Sequence, residues 1–124
     1  MEEAEEKQIL EEEELEEGGS SYTHLSEQPS ILTGGQLKFY QMVGLNWMVS
    51  LYEGGINGIL ADDMGLGKTI QTISIIAFLR QFKKINGPHL IVAPKITLGN
   101  WVREINKWLP CCRVVKLIAT KEER

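Results

Sequence analysis

The chain has 124 residues, room for at most one ordinary domain, and its 43% hydrophobic content allows a packed core over most of that length. The net charge of −4 hides a division: residues 1–17 hold ten Glu against one Lys, a net of −9, whereas residues 18–124 hold seven acids against twelve Lys and Arg, a net of +5. A mildly basic part joined to an acidic tail is compatible with nucleic acid without demanding it. With no apolar signal region and no run approaching the ~20 apolar residues of a membrane helix, the expectation is a soluble intracellular protein.

Residues 1–17 offer only Ile9, Leu10 and Leu15 as large apolar side chains after Met1. That is too little surface to bury, so the tail reads as disordered or as a marginal solvated helix. Gly18-Gly19-Ser20-Ser21 reads as a flexible joint, and residues 22–35, with Pro29 and Gly34-Gly35, as irregular. Periodic sequence begins near Gln36. Tyr40, Val43, Gly44, Trp47, Met48 and Leu51 recur at helical spacing, and Gly54-Gly55 ends that helix. A short strand is expected at residues 56–61, then a glycine loop, then a long helix to about Lys84 with apolar residues on several sides (Ile70, Ile73, Ile76, Ala77, Phe78, Phe82).

Asn86-Gly87-Pro88 reads as a turn, and residues 89–93 as an apolar strand that Pro94 ends. Leu98, Trp101, Val102, Ile105, Trp108 and Leu109 fit one helix face, with Thr97 as its N-cap and Pro110 as its stop. Residues 114–118 form a third expected strand. Strands alternating with helices predict an α/β fold, a parallel sheet with flanking helices and right-handed crossovers. Three apolar strands are few for a sheet covered on both faces, so the pattern reads as unfinished. The adjacent Cys111 and Cys112 do not suit a disulfide, and no Cys or His spacing suits zinc, which leaves reduced thiols.

The glycine loop carries the chemistry. Asp62-Asp63-Met64-Gly65-Leu66-Gly67-Lys68-Thr69 lies between an apolar run and an apolar helix, the layout of a nucleoside-triphosphate phosphate loop. Gly65 and Gly67 let the backbone bring N–H groups to the β and γ phosphates, and the helix opening near Lys68 adds its positive end. Lys68 supplies a full charge to the β/γ oxygens, and Thr69 a hydroxyl to Mg²⁺. The pattern G-x-x-x-x-G-K-[ST] wants Gly where this chain has Asp62, so only G-x-G-K-T is strictly met.

Residues 36–69, from Gln36-Leu37-Lys38-Phe39-Tyr40-Gln41 through the loop, resemble the start of a Swi/Snf-type chromatin-remodelling ATPase. Residues 87–95 and Leu98-Gly99-Asn100-Trp101 extend the match, which looks closest to the imitation-switch (ISWI) subfamily. The usual wording of that loop has Glu at the position of Asp63. The resemblance covers about residues 30–124. It implies the first RecA-like lobe of a superfamily 2 helicase-like motor, incomplete here, over residues 34–124, with residues 1–33 as acidic tail and linker.

The resemblance also implies roles. Gln41 matches the adenine-reading glutamine, residues 62–69 the ATP contacts, Lys68 the catalytic lysine and Thr69 the Mg²⁺ ligand. Pro94, Lys95 and Thr97 match a segment that touches the DNA backbone. DNA, nucleosomes and histones, and possible remodelling-complex subunits, are the implied partners, with the nucleus as the implied location and no membrane. The acids after Thr69 are Glu104, Glu122 and Glu123, none in an Asp-Glu pair on a strand end. Hydrolysis needs such a pair and arginines from a second lobe. The expectation is therefore ATP binding without turnover by these residues alone. Two other readings stand beside it: a non-catalytic nucleotide-binding or interaction module, and a small phosphate-loop kinase.

Overall fold

The computed structural model describes residues 3–5, 7–8, 22–61 and 67–118. Among the described residues its frame is built by helices α1 (Phe39–Glu53), α2 (Lys68–Phe82) and α3 (Leu98–Trp108). A single 3-10 turn, Lys95–Thr97, leads into α3. Helix α1 starts where Lys38 leaves extended backbone (φ −70°, ψ 158°). It stops at Gly54, whose N–H still returns to the Ser50 carbonyl at 2.9 Å. Helix α2 ends as Lys84 turns left-handed (φ 57°) and the Ile85 N–H reaches back to the Leu79 carbonyl at 3.0 Å. Helix α3 closes with the Leu109 N–H on the Ile105 carbonyl at 2.8 Å, and Pro110 lacks the N–H to continue. No helix among the described residues is long and apolar enough to cross a membrane.

Helix α2 is the centre of the packing. One apolar cluster joins its Phe78 to Leu45 and Val49 of α1 and to Leu25. Another joins its Ile73 and Ala77 to Ile105, Trp108 and Leu109 at the end of α3, and to Leu32. Each fully buried Leu, Ile or Phe contributes about 1.5–3 kcal/mol through the apolar surface removed from water. Helices α1 and α2 cross closely because position 44 has no side chain. A β-carbon there would overlap the amide of Gln71, which is itself fully buried.

The segment expected to be an irregular linker is irregular in backbone but firmly packed. Residues 22–37 run as a strap over the helices. Leu25, Pro29 and Leu32 are buried. The Leu25 N–H donates to Asn46 Oδ1 at 2.7 Å, and Asn46 Nδ2 donates back to the Leu25 carbonyl at 2.9 Å. The Ile31 N–H donates to Gln81 Oε1 on α2 at 3.1 Å, and the Thr33 N–H to the Trp108 carbonyl at 2.9 Å. The strap thus ties α1, α2 and α3 to one another.

Two expectations are corrected. Residues 56–61, 89–93 and 114–118 form no strand among the described residues, so the parallel sheet is not seen. Ile59, Leu90, Val92 and Leu117 are each more than four-fifths exposed. An apolar run states that burial is favourable, but a strand also needs a neighbour to take its N–H and C=O groups, and these segments have none among the described residues. The second correction concerns the face of α1. The stripe read through Tyr40, Val43, Gly44, Trp47, Met48 and Leu51 is not the buried one; Gln41, Leu45, Asn46 and Val49 are. Trp47, 39% exposed, instead lines an open apolar groove of about 270 Å³ with Met48, Leu51, Tyr52, Ile56, Gly58, Leu60 and Ile75.

Candidate nucleotide site

Of the expected nucleotide contacts, Asp62, Asp63, Met64, Gly65 and Leu66 lie outside the described residues. Gly67, Lys68 and Thr69 are described, and they form the N-terminus of α2. Gly67 is its N-cap in the left-handed conformation (φ 83°, ψ 42°), which an L side chain rarely takes. The Gly67 carbonyl accepts the Gln71 N–H at 3.0 Å, so the helical ladder starts at once. Among the described residues no side chain caps this end, and no acidic residue lies in the first turn. The first amides of a helix, with the positive end of its dipole, suit an anion. Lys68 is exposed and Thr69 half-buried at that end.

The structure brings Gln41 to this loop from another helix. Gln41 is 7% exposed, and its Oε1 accepts the Lys38 N–H at 2.9 Å, a side chain closing the first turn of its own helix. Its Nε2 lies 2.5 Å from where a β-carbon on Gly67 would stand. Glycine at 67 is thus required twice, by backbone angle and by the amide lying against it. Gln41 and Gly67, far apart in sequence, thus share one spot. ATP with Mg²⁺ fits the groups present: the amides that open α2, an exposed ammonium, a hydroxyl and a side-chain amide.

Lys95 and Thr97 lie on the 3-10 turn before α3, Lys95 exposed and Thr97 half-buried. Thr97 occupies the position before α3, as expected, but does not cap it with its side chain. Its hydroxyl turns back to the Pro94 carbonyl at 2.7 Å and its N–H meets the same oxygen at 2.9 Å. Pro94, Lys95 and Thr97 therefore form one hydrogen-bonded turn.

Sequence reasoning missed the side chains that hold this frame. Glu53 at the end of α1 accepts the Thr23 N–H at 2.6 Å, the Thr23 hydroxyl at 3.0 Å and the Lys83 ammonium at 2.8 Å. The Lys83 ammonium, helped by the Thr23 N–H and hydroxyl and opposed by burial, holds its carboxyl below the usual glutamate range. Gln28 and Asn46 also bind backbone across the strap. The sequence signal for the strap was its scattered large apolar residues, Leu25, Ile31, Leu32 and Leu37, in a polar stretch.

Residues 40–124 match the model of the SNF2-related domain, and the chain belongs to that family. Its relatives include the ISWI chromatin-remodeling complex ATPase CHR11 of Arabidopsis thaliana, 54% identical over 123 residues, 99% of this chain and 12% of that protein. SWI/SNF-related matrix-associated actin-dependent regulator of chromatin subfamily A member 1 of Homo sapiens is 51% identical over 96 residues, 77% of this chain and 9% of that protein. Transcription regulatory protein SNF2 of Saccharomyces cerevisiae is 53% identical over 100 residues, 81% of this chain and 6% of that protein. The chain thus spans a small part of the length of the proteins it resembles.

Proposed function

We infer that this chain is the nucleotide-binding front of an ATP-dependent chromatin remodeller that moves DNA on nucleosomes in the nucleus. The observation that carries this reading is the meeting of Gln41 with Gly67 at the N-terminal end of α2. Gln41 reads the adenine edge, residues 62–69 wrap the phosphates, Lys68 neutralises the β/γ oxygens and Thr69 holds Mg²⁺. Lys95 and Thr97 meet the DNA backbone, where contacts set register and not sequence. DNA and histones are the partners, together with subunits of a remodelling complex. Residues 34–124 act as part of a RecA-like lobe, in which residues 56–61, 89–93 and 114–118 become strands once neighbouring strands supply their hydrogen bonds.

Residues 1–124 on their own bind ATP·Mg²⁺ but do not hydrolyse it. Lys68→Ala removes a charge-assisted contact worth about 1.5–3 kcal/mol and weakens ATP binding by roughly tenfold to a hundredfold. Titration with a fluorescent ATP analogue reads this directly. Steady ATP hydrolysis by residues 1–124, abolished by Lys68→Ala, would refute the binding-without-turnover reading.

A further inference from the structure

The chain enters α1 through a loop at residues 32–37, and one side chain organises that loop. Gln28 Nε2 donates to the Leu32 carbonyl at 3.0 Å and to the Gly35 carbonyl at 2.8 Å. Gln28 Oε1 accepts the Leu37 N–H at 2.7 Å. Both amide hydrogens and the carbonyl are thus committed to backbone, three bonds from one half-buried side chain. The far side of the loop is closed as well. The Thr33 N–H is held by the Trp108 carbonyl at 2.9 Å, and a β-carbon on Gly34 would stand 2.9 Å from the Trp108 Cα.

The next residue after Leu37 is Lys38, whose N–H donates to Gln41 Oε1 at 2.9 Å. Gln41 Nε2 then lies against Gly67. A continuous line of hydrogen bonds and covalent backbone therefore runs from Gln28 through Leu37 and Lys38 to the Gln41 amide at the phosphate loop. Gln28 precedes the stretch that matches the family model, which begins at residue 40.

We propose that Gln28 is a positioning residue for base recognition: by bridging the Leu37 N–H to the Leu32 and Gly35 carbonyls, so that loss of either end frees the loop, it sets the start of α1 and aims the Gln41 amide at the nucleotide. This rests on the reading of Gln41 as the base contact. An amide discriminates bases only when its donor and acceptor are aligned with the base edge, so a displacement of about 1 Å at Lys38 is enough to blur selection. Phosphate binding draws on Lys68 and the α2 amides, which Gln28 does not touch.

The experiment compares equilibrium binding of ATP, GTP and inorganic tripolyphosphate, each with Mg²⁺, to the full-length protein and its Gln28→Ala, Gln28→Glu and Gln41→Ala variants. Gln28→Glu keeps the acceptor for Leu37 but loses both donors, so it supplies the comparison if Gln28→Ala does not fold. The expected result is an ATP-over-GTP preference reduced about tenfold in the Gln28 variants and in Gln41→Ala, with tripolyphosphate affinity unchanged. A merely structural role would weaken all three ligands together, and that result overturns the proposal. Loss of preference in Gln41→Ala but not in the Gln28 variants overturns the proposal and leaves the Gln41 reading intact. Preference retained in Gln41→Ala, or absent from the unsubstituted protein, overturns the Gln41 reading and the proposal with it.

Discussion

Glu53 is the residue on which the strap turns. Its carboxylate gathers two groups of Thr23 and the Lys83 ammonium, so one side chain joins the strap, the end of α1 and the end of α2. Its pKa lies below the ordinary value, first through Lys83 and then through Thr23. The folded state therefore binds this proton less readily than the unfolded state. The stabilisation is complete above the unfolded value, near about 4.3, and is lost as pH falls through the lower folded value. The Thr23 amide resonance should stay constant from neutral pH to about pH 5 and then titrate with a midpoint below about 4.3. Glu53→Gln should flatten that titration. A midpoint at or above the ordinary glutamate value would show that the carboxylate is not held as described. None of this was legible in the sequence, because Thr23, Glu53 and Lys83 are brought together by tertiary packing and share no local pattern.

At the scale of elements, the contact between α1 and α2 decides where Gln41 meets the loop. Alanine at position 44 gains up to about 1 kcal/mol in helix propensity. Its β-carbon, however, falls on the buried Gln71 amide, and overpacking a closed site costs about 1–3 kcal/mol. We expect Gly44→Ala to be destabilising overall, read as faster hydrogen exchange along α1 and α2. Adding Gln71→Ala should restore part of the protection, since the two positions are coupled. Strictly additive losses would place the strain elsewhere.

The helices themselves were legible. Their 3.6-residue recurrence, Gly54-Gly55 and Pro110 marked three elements that the structure contains. The face of α1 was not, because Tyr40, Val43, Leu45, Trp47, Met48, Val49 and Leu51 put apolar residues around most of the helix. The pattern alone cannot choose among them. The loop glycines and Gln41 were legible as residues. What sequence does not carry is that the Gln41 amide lies against Gly67, a fact of how two helices cross.

The whole molecule leaves apolar side chains in solvent that other protein would normally cover. Ile59, Leu90, Val92, Ile96, Val115 and Leu117 are each at least three-quarters exposed. The segments that hold most of them are those read from sequence as strands. Their composition stated that they should be buried, and their partners are not among the described residues. Residues 1–124 alone should bind a hydrophobic dye and self-associate with rising concentration. A monodisperse chain with a sharp cooperative melt and no dye binding would instead mark an independent module.

The most direct measurement is ATP hydrolysis by the full-length protein, with and without double-stranded DNA, beside its Lys68→Ala variant. Turnover should rise with DNA and be abolished by Lys68→Ala. Turnover indifferent to DNA, or transfer of the γ-phosphate to a small acceptor instead of water, would contradict a DNA-tracking motor and favour a phosphate-loop kinase.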